Sequence, residues 1–68
     1  MKEGEKVYVS IVSKVMSYYI GDLKEVLPTH IVLSKATHYI VVHGNETQYQ
    51  YEWILLPMHT VSVMRPYT

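Results

Sequence analysis

Residues 21–33 read Gly21-Asp22-Leu23-Lys24-Glu25-Val26-Leu27-Pro28-Thr29-His30-Ile31-Val32-Leu33. A glycine opens the stretch inside an apolar strand pattern. Leu23 and Val26 come next, the chain turns at Pro28-Thr29, and Ile31 and Leu33 resume the alternation. A glycine within a strand marks a sharp bend or a close backbone approach. A bent strand and then a short turn is how a small sheet curls over its own core. The stretch therefore predicts a small β-barrel.

The neighbouring sequence extends that pattern in both directions. Upstream, Val7, Val9 and Ile11 alternate with Tyr8, Ser10 and Val12, a period of two that predicts a first strand over residues 6–13. Residues 1–5 are polar, contain Gly4, and read as a loose end. Tyr18, Tyr19 and Ile20 begin a second strand, and Val15-Met16 could extend either strand. Leu23 and Val26 are three apart rather than two. Either a bulge separates them, or the strand ends near Glu25, or residues 23–27 form one helical turn that Pro28 stops.

Downstream, Ile31 and Leu33 share one face of a third strand, which kinks at Lys35-Ala36-Thr37 and resumes over residues 38–43. Gly44-Asn45 reads as a two-residue hairpin turn, because both residues accept positive φ. That turn pairs His43 with Glu46, Ile40 with Tyr49, His38 with Tyr51 and Ala36 with Trp53. On the returning strand, Tyr49, Tyr51 and Trp53 take one face and Gln48, Gln50 and Glu52 the other. The alternation then gives way to Ile54-Leu55-Leu56, apolar on both faces. Pro57-Met58-His59 is a short turn, residues 60–64 form a fifth strand, and Pro66 ends it. The expected fold is all-β: one domain, a five-stranded, strongly bent open barrel of the SH3-like or Sm-like kind, with one long hairpin.

Composition narrows the function classes. Sixty-eight residues leave little room for a large core, and without cysteine neither disulfides nor thiolate–zinc sites add stability. Dense packing or self-association must do so. Six basic residues balance six acidic ones, which counts against strong sequence-independent binding to nucleic acid. No stretch resembles a signal peptide, and the apolar runs are too short to span a membrane, so the expectation is a soluble cytoplasmic protein.

Residues 54–56 and 60–64 carry no charge. Monomeric proteins normally protect an exposed sheet edge with lysine, proline or a bulge. The expected interface between subunits is therefore Ile54, Leu55 and Leu56 against Thr60, Val61, Ser62, Val63 and Met64. The alternative is that these strands cover each other or lie beneath the N-terminus.

Two local motifs resemble the Sm-like superfamily, especially its bacterial Hfq branch. Val7-Tyr8-Val9-Ser10-Ile11-Val12 is similar to the opening strand of the first Sm motif. Gly21-Asp22-Leu23-Lys24-Glu25-Val26 is similar to its glycine-centred bend, and His30-Ile31-Val32-Leu33 to the alternating strand after that bend. Pro57-Met58-His59-Thr60-Val61-Ser62 falls where Hfq has Tyr-Lys-His-Ala-Ile-Ser. The resemblance spans Val7 to Val63. It implies a homo-oligomeric ring, a hexamer or heptamer joined through the last two strands, and single-stranded RNA around the pore. Carried over, RNA contacts fall on His59, which matches, on Met58, which stands in place of lysine, and on His30 beside the turn. Pro57 replaces the motif's tyrosine, Leu27 a family aspartate, and Thr29 a base-stacking ring.

The chemistry-bearing residues point away from catalysis. No motif joins a nucleophile to a base, so an enzyme is not expected. His38 and His43 are five apart and fall on opposite faces of an uninterrupted strand, so no metal site and no cofactor is expected. In a ring, one His59 per subunit would converge on the axis. The Tyr49-Tyr51-Trp53 stripe is either a stacking platform for unpaired bases or packing at the hairpin or a subunit interface. Three functions stay open: a single-stranded RNA module, a structural or protein-interaction ring without RNA, and a monomeric SH3-like adaptor.

Overall fold

The computed structural model describes residues 2–67; Met1, expected to belong to a loose end, lies outside the described residues. The chain forms β1 (Lys6–Ile11), β2 (Met16–Val26), β3 (His30–Val42), β4 (Asn45–Pro57), a 3-10 turn η1 (Met58–Thr60) and β5 (Val61–Pro66). The five strands make one antiparallel sheet in the order β4-β3-β2-β1-β5. It is bent but not closed, the all-β open barrel expected. Residues 2–5 are not loose: the Gly4 amide donates to the Leu23 carbonyl, and the Leu23 amide to the Glu5 carbonyl at 2.8 Å.

Two bulges shape the sheet. Between Ile20 and Asp22, one residue of β2, Gly21, faces two of β3, Lys35 and Ala36. Lys35 takes a left-handed φ of 50°. Between Leu23 and Glu25 the imbalance reverses, and Lys24 is the extra residue of β2. The second bulge cancels the first, so the register beyond both is that before them. The Leu23–Val26 spacing is thus a bulge within one continuous strand, not a helical turn. Gly21 is needed for contact: a Cβ there would meet the Ala36 Cα at 2.9 Å.

The bend brings inward-facing residues of four strands together. Val7, Val9, Tyr19, Leu23, Ile31, Leu33, Ala36 and Leu56 form the core, with Ile11, Ile54, Met58, Val61 and Met64 packed at its margin. Burying each Val, Leu or Ile side chain contributes about 1.5–3 kcal/mol.

The hairpin register differs from expectation. The turn residues are His43 (φ 50°) and Gly44 (φ 81°), and Val42 pairs with Asn45. A two-residue turn that matches strand twist needs positive φ at both central positions. His43 supplies it, being of a type enriched there, and Asn45 enters the ladder. His38 therefore pairs with Tyr49, Ala36 with Tyr51, and Ser34 with Trp53. The shift is two residues, so each ring keeps its face. The boundaries also move: β1 ends at Ile11, β2 begins at Met16, residues 58–60 form a 3-10 turn, and β5 extends to Pro66.

Gly21→Ala is expected to force Ala36 outward and cost about 1–3 kcal/mol. Thermal unfolding should show a fall in Tm of about 4–8 °C per kcal/mol lost. An unchanged Tm would mean the two strands do not touch there.

Candidate functional site

The β2–β3 turn and η1 meet at one end of the sheet. His30 pairs with Pro57, and the Met58 amide donates to the Thr29 carbonyl at 2.9 Å. The Leu27 amide donates to the His30 carbonyl at 2.8 Å, closing the turn. Thr60 Oγ1 donates to the Pro57 carbonyl at 2.7 Å and holds η1. The three residues expected to touch RNA, His30, Met58 and His59, therefore lie together. Their roles differ. Met58 packs against the core margin, while His59 is exposed. His30 shares a 2.9 Å hydrogen bond with Thr29 Oγ1, and its Nε2 lies 4.0 Å from Glu25 Oε1. The charged neighbour here is a carboxylate, which does not attract phosphate.

Among the described residues the sheet has two free edges: β4 pairs only with β3 and β5 only with β1. Leu55 and Val63 are exposed beside these edges, whereas Leu56 points into the core, and Ile54, Val61 and Met64 lean on its margin. Tyr49, Tyr51 and Trp53 are 49%, 40% and 66% exposed, so the hairpin does not cover them.

Register brings together residues that are far apart in sequence. On the face opposite the core, Tyr8 stacks on Tyr18 (ring centroids 5.1 Å apart) and Tyr18 on Tyr39 (4.8 Å). The Arg65 guanidinium covers Tyr8 at 4.5 Å, and Tyr18 Oη donates to Glu46 at 3.2 Å. Desolvation, and then Glu46, raises the Tyr18 phenol above its ordinary pKa. Stacked pairs contribute about 0.5–1.5 kcal/mol each. The ring faces are spent on one another, so this ladder ties the strands rather than presenting open platforms.

On the core side, Ser17 Oγ and His38 Nε2 share a 2.6 Å hydrogen bond, and Tyr19 stacks on the His38 ring at 4.0 Å. No sequence motif marks this pair, because its members lie 21 residues apart on adjacent strands. Ser17 is only 8% exposed, which fits a satisfied buried polar pair. Burial holds His38 below its ordinary pKa and raises that of Tyr19, with Tyr51 adding to the latter. Among the described residues, no group of three His, Cys, Asp or Glu side chains is placed to hold a metal ion. Among the same residues, no helix is long and apolar enough to cross a membrane.

No protein-family model matches the chain, and no curated protein matches it either.

The lowered His38 pKa sets a pH dependence. The unfolded chain takes up a proton near the ordinary value of 6.5, while the folded chain resists it until lower pH. The stability from neutral His38 is present above that value and is lost as pH falls from it through the folded pKa. Urea midpoints should fall more between pH 7 and pH 5 in the wild type than in His38→Gln. Equal losses would remove His38 as the cause.

Proposed function

We propose that the chain is a self-associating module of the kind its Sm-like resemblance implies. It builds a homo-oligomeric ring of six or seven copies that serves as a structural or protein-interaction scaffold. The supporting observation is the pair of free, uncharged edges. β4 over residues 54–56 and β5 over 61–64 present unpaired backbone groups at opposite ends of one bent sheet. Such edges template pairing with another chain. When different edges pair head to tail, a fixed rotation relates neighbours, and the assembly closes if that rotation divides a circle. Exposed Leu55 and Val63 flank these edges and would be covered. A small core with no disulfide gains stability from such burial.

Single-stranded RNA is the second reading. The proximity of His30 and exposed His59 favours it, since a ring would repeat that end around its axis. The balanced charge and the Glu25 carboxylate weigh against it. The scaffold reading therefore stands first.

Sedimentation at several concentrations should give a mass several times the 7.9 kDa chain, stable on dilution. Val63→Lys, at a side chain 47% exposed, should yield a folded monomer with unchanged circular dichroism. A wild-type monomer throughout would overturn the ring. For RNA, a labelled oligonucleotide should shift at low salt and release as salt rises; no shift at low salt would remove that reading.

A further inference from the structure

The chain has seven tyrosines and no cysteine. No disulfide joins its strands, and the side chain left that couples to its own kind is the phenol. Tyr18 of β2 and Tyr39 of β3 are direct cross-strand partners. Side chains directly opposed in an antiparallel pair start about 4.5–5.5 Å apart at Cβ. The rings keep that approach: their centroids lie 4.8 Å apart and their planes 14° from parallel. On its other side Tyr18 meets Tyr8, a diagonal neighbour, at 5.1 Å and 29°.

The two neighbours of Tyr18 differ electrically. The Arg65 guanidinium covers Tyr8 at 4.5 Å, and a cation there opposes loss of an electron from that ring. Tyr18 itself faces an anion. Its Oη donates to Glu46 Oε2 at 3.2 Å, and Gln48 Nε2 donates to Glu46 Oε1 at 3.3 Å. The carboxylate thus reaches across β3 from β4, with one oxygen held by Gln48 and the other on the phenol. Desolvation and Glu46 keep that phenol protonated, so its proton leaves only with an electron.

We propose that Tyr18 and Tyr39 are the site of an oxidative cross-link, a carbon–carbon bond that ties β2 to β3. A one-electron oxidant takes an electron from Tyr18 while its proton passes to Glu46, which leaves a phenoxyl radical. Tyr39 loses an electron in the same way and gives its proton to water. The two radicals pair their electrons in a bond between ring carbons ortho to the oxygens. Each of those carbons then releases its hydrogen as a proton, each oxygen takes one up, and both phenols are restored. The net loss is two hydrogen atoms. Hydrogen peroxide, acting through a haem peroxidase, accepts them and becomes two waters. The bond closes residues 18–39 into a loop and restricts the unfolded chain as a disulfide would. It lies within one chain, on inner strands of the sheet, and does not rest on ring formation.

The test treats the full chain, at low concentration, with a haem peroxidase and hydrogen peroxide. The expected product is a single chain lighter by two hydrogen atoms, with dityrosine fluorescence, in which peptide mapping joins Tyr18 to Tyr39. Tyr18→Phe and Tyr39→Phe keep the stacked rings and should each abolish that link, whereas Tyr8→Phe should retain it. Glu46→Gln keeps a hydrogen-bonding side chain but is no base, and should slow the reaction severalfold. The cross-linked chain should unfold at a higher Tm than the untreated one. No cross-link, a link between other tyrosines, or products joined only between chains would overturn the proposal. So would an unchanged rate in Glu46→Gln or a Tm that does not rise.

Discussion

The contact between Gly21 and Ala36 is the constraint on which the rest of this structure depends. Five strands in one sheet cannot cover their own apolar face unless the sheet bends. Here β2 and β3 approach so closely at that point that a Cβ on residue 21 would meet the Ala36 Cα at 2.9 Å. Above the bend, Tyr19 pairs with His38; below it, Leu23 pairs with Leu33. These pairs belong to registers one residue apart, and a one-residue slip would normally turn the core face outward. The extra residue in β3 absorbs the slip, so Ile31, Leu33 and Ala36 all reach the core. The Lys24 bulge then returns the strands to step. Bulges bend strands and raise local twist, and this pair does so without net displacement.

The parts of this arrangement that declare themselves in sequence are the local ones. Gly21 within an apolar pattern announces the close approach, and Val7, Val9, Ile31 and Leu33 announce buried faces through their period of two. The odd spacing of Leu23 and Val26 announces an irregularity, and only the pairing decides for a bulge over a strand end or a helical turn. What stays hidden depends on pairing between distant strands. Gly44-Asn45 looks like the better turn by composition, but a left-handed His43 shifts the turn by one residue and the ladder by two. The Tyr8-Tyr18-Tyr39 ladder and the Ser17–His38 pair exist only once the register is fixed. At the candidate site, the resemblance names His30, Met58 and His59 singly; that the β2–β3 turn and η1 meet, and that Met58 packs on the core margin, follows from the pairing of His30 with Pro57. The left-handed backbone of Lys35 is not legible, because it depends on the pairing of β2 with β3.

The bend and the edges are linked. A sheet that closed on itself would satisfy both ends of its ladder; this one bends over a core of eight residues and, among the described residues, leaves the outer edges of β4 and β5 without a partner. The polar and aromatic features fall elsewhere: the tyrosine ladder on the outer face and the histidines at the turn.

The most direct measurement is the pattern of cross-strand nuclear Overhauser effects around residue 21. The expected result is a strong effect between the Gly21 Hα and the Ala36 methyl, together with contacts joining Tyr19 to His38 and Leu23 to Leu33. A single uninterrupted register through both pairs, with Gly21 remote from Ala36, would contradict the bend and the fold built on it.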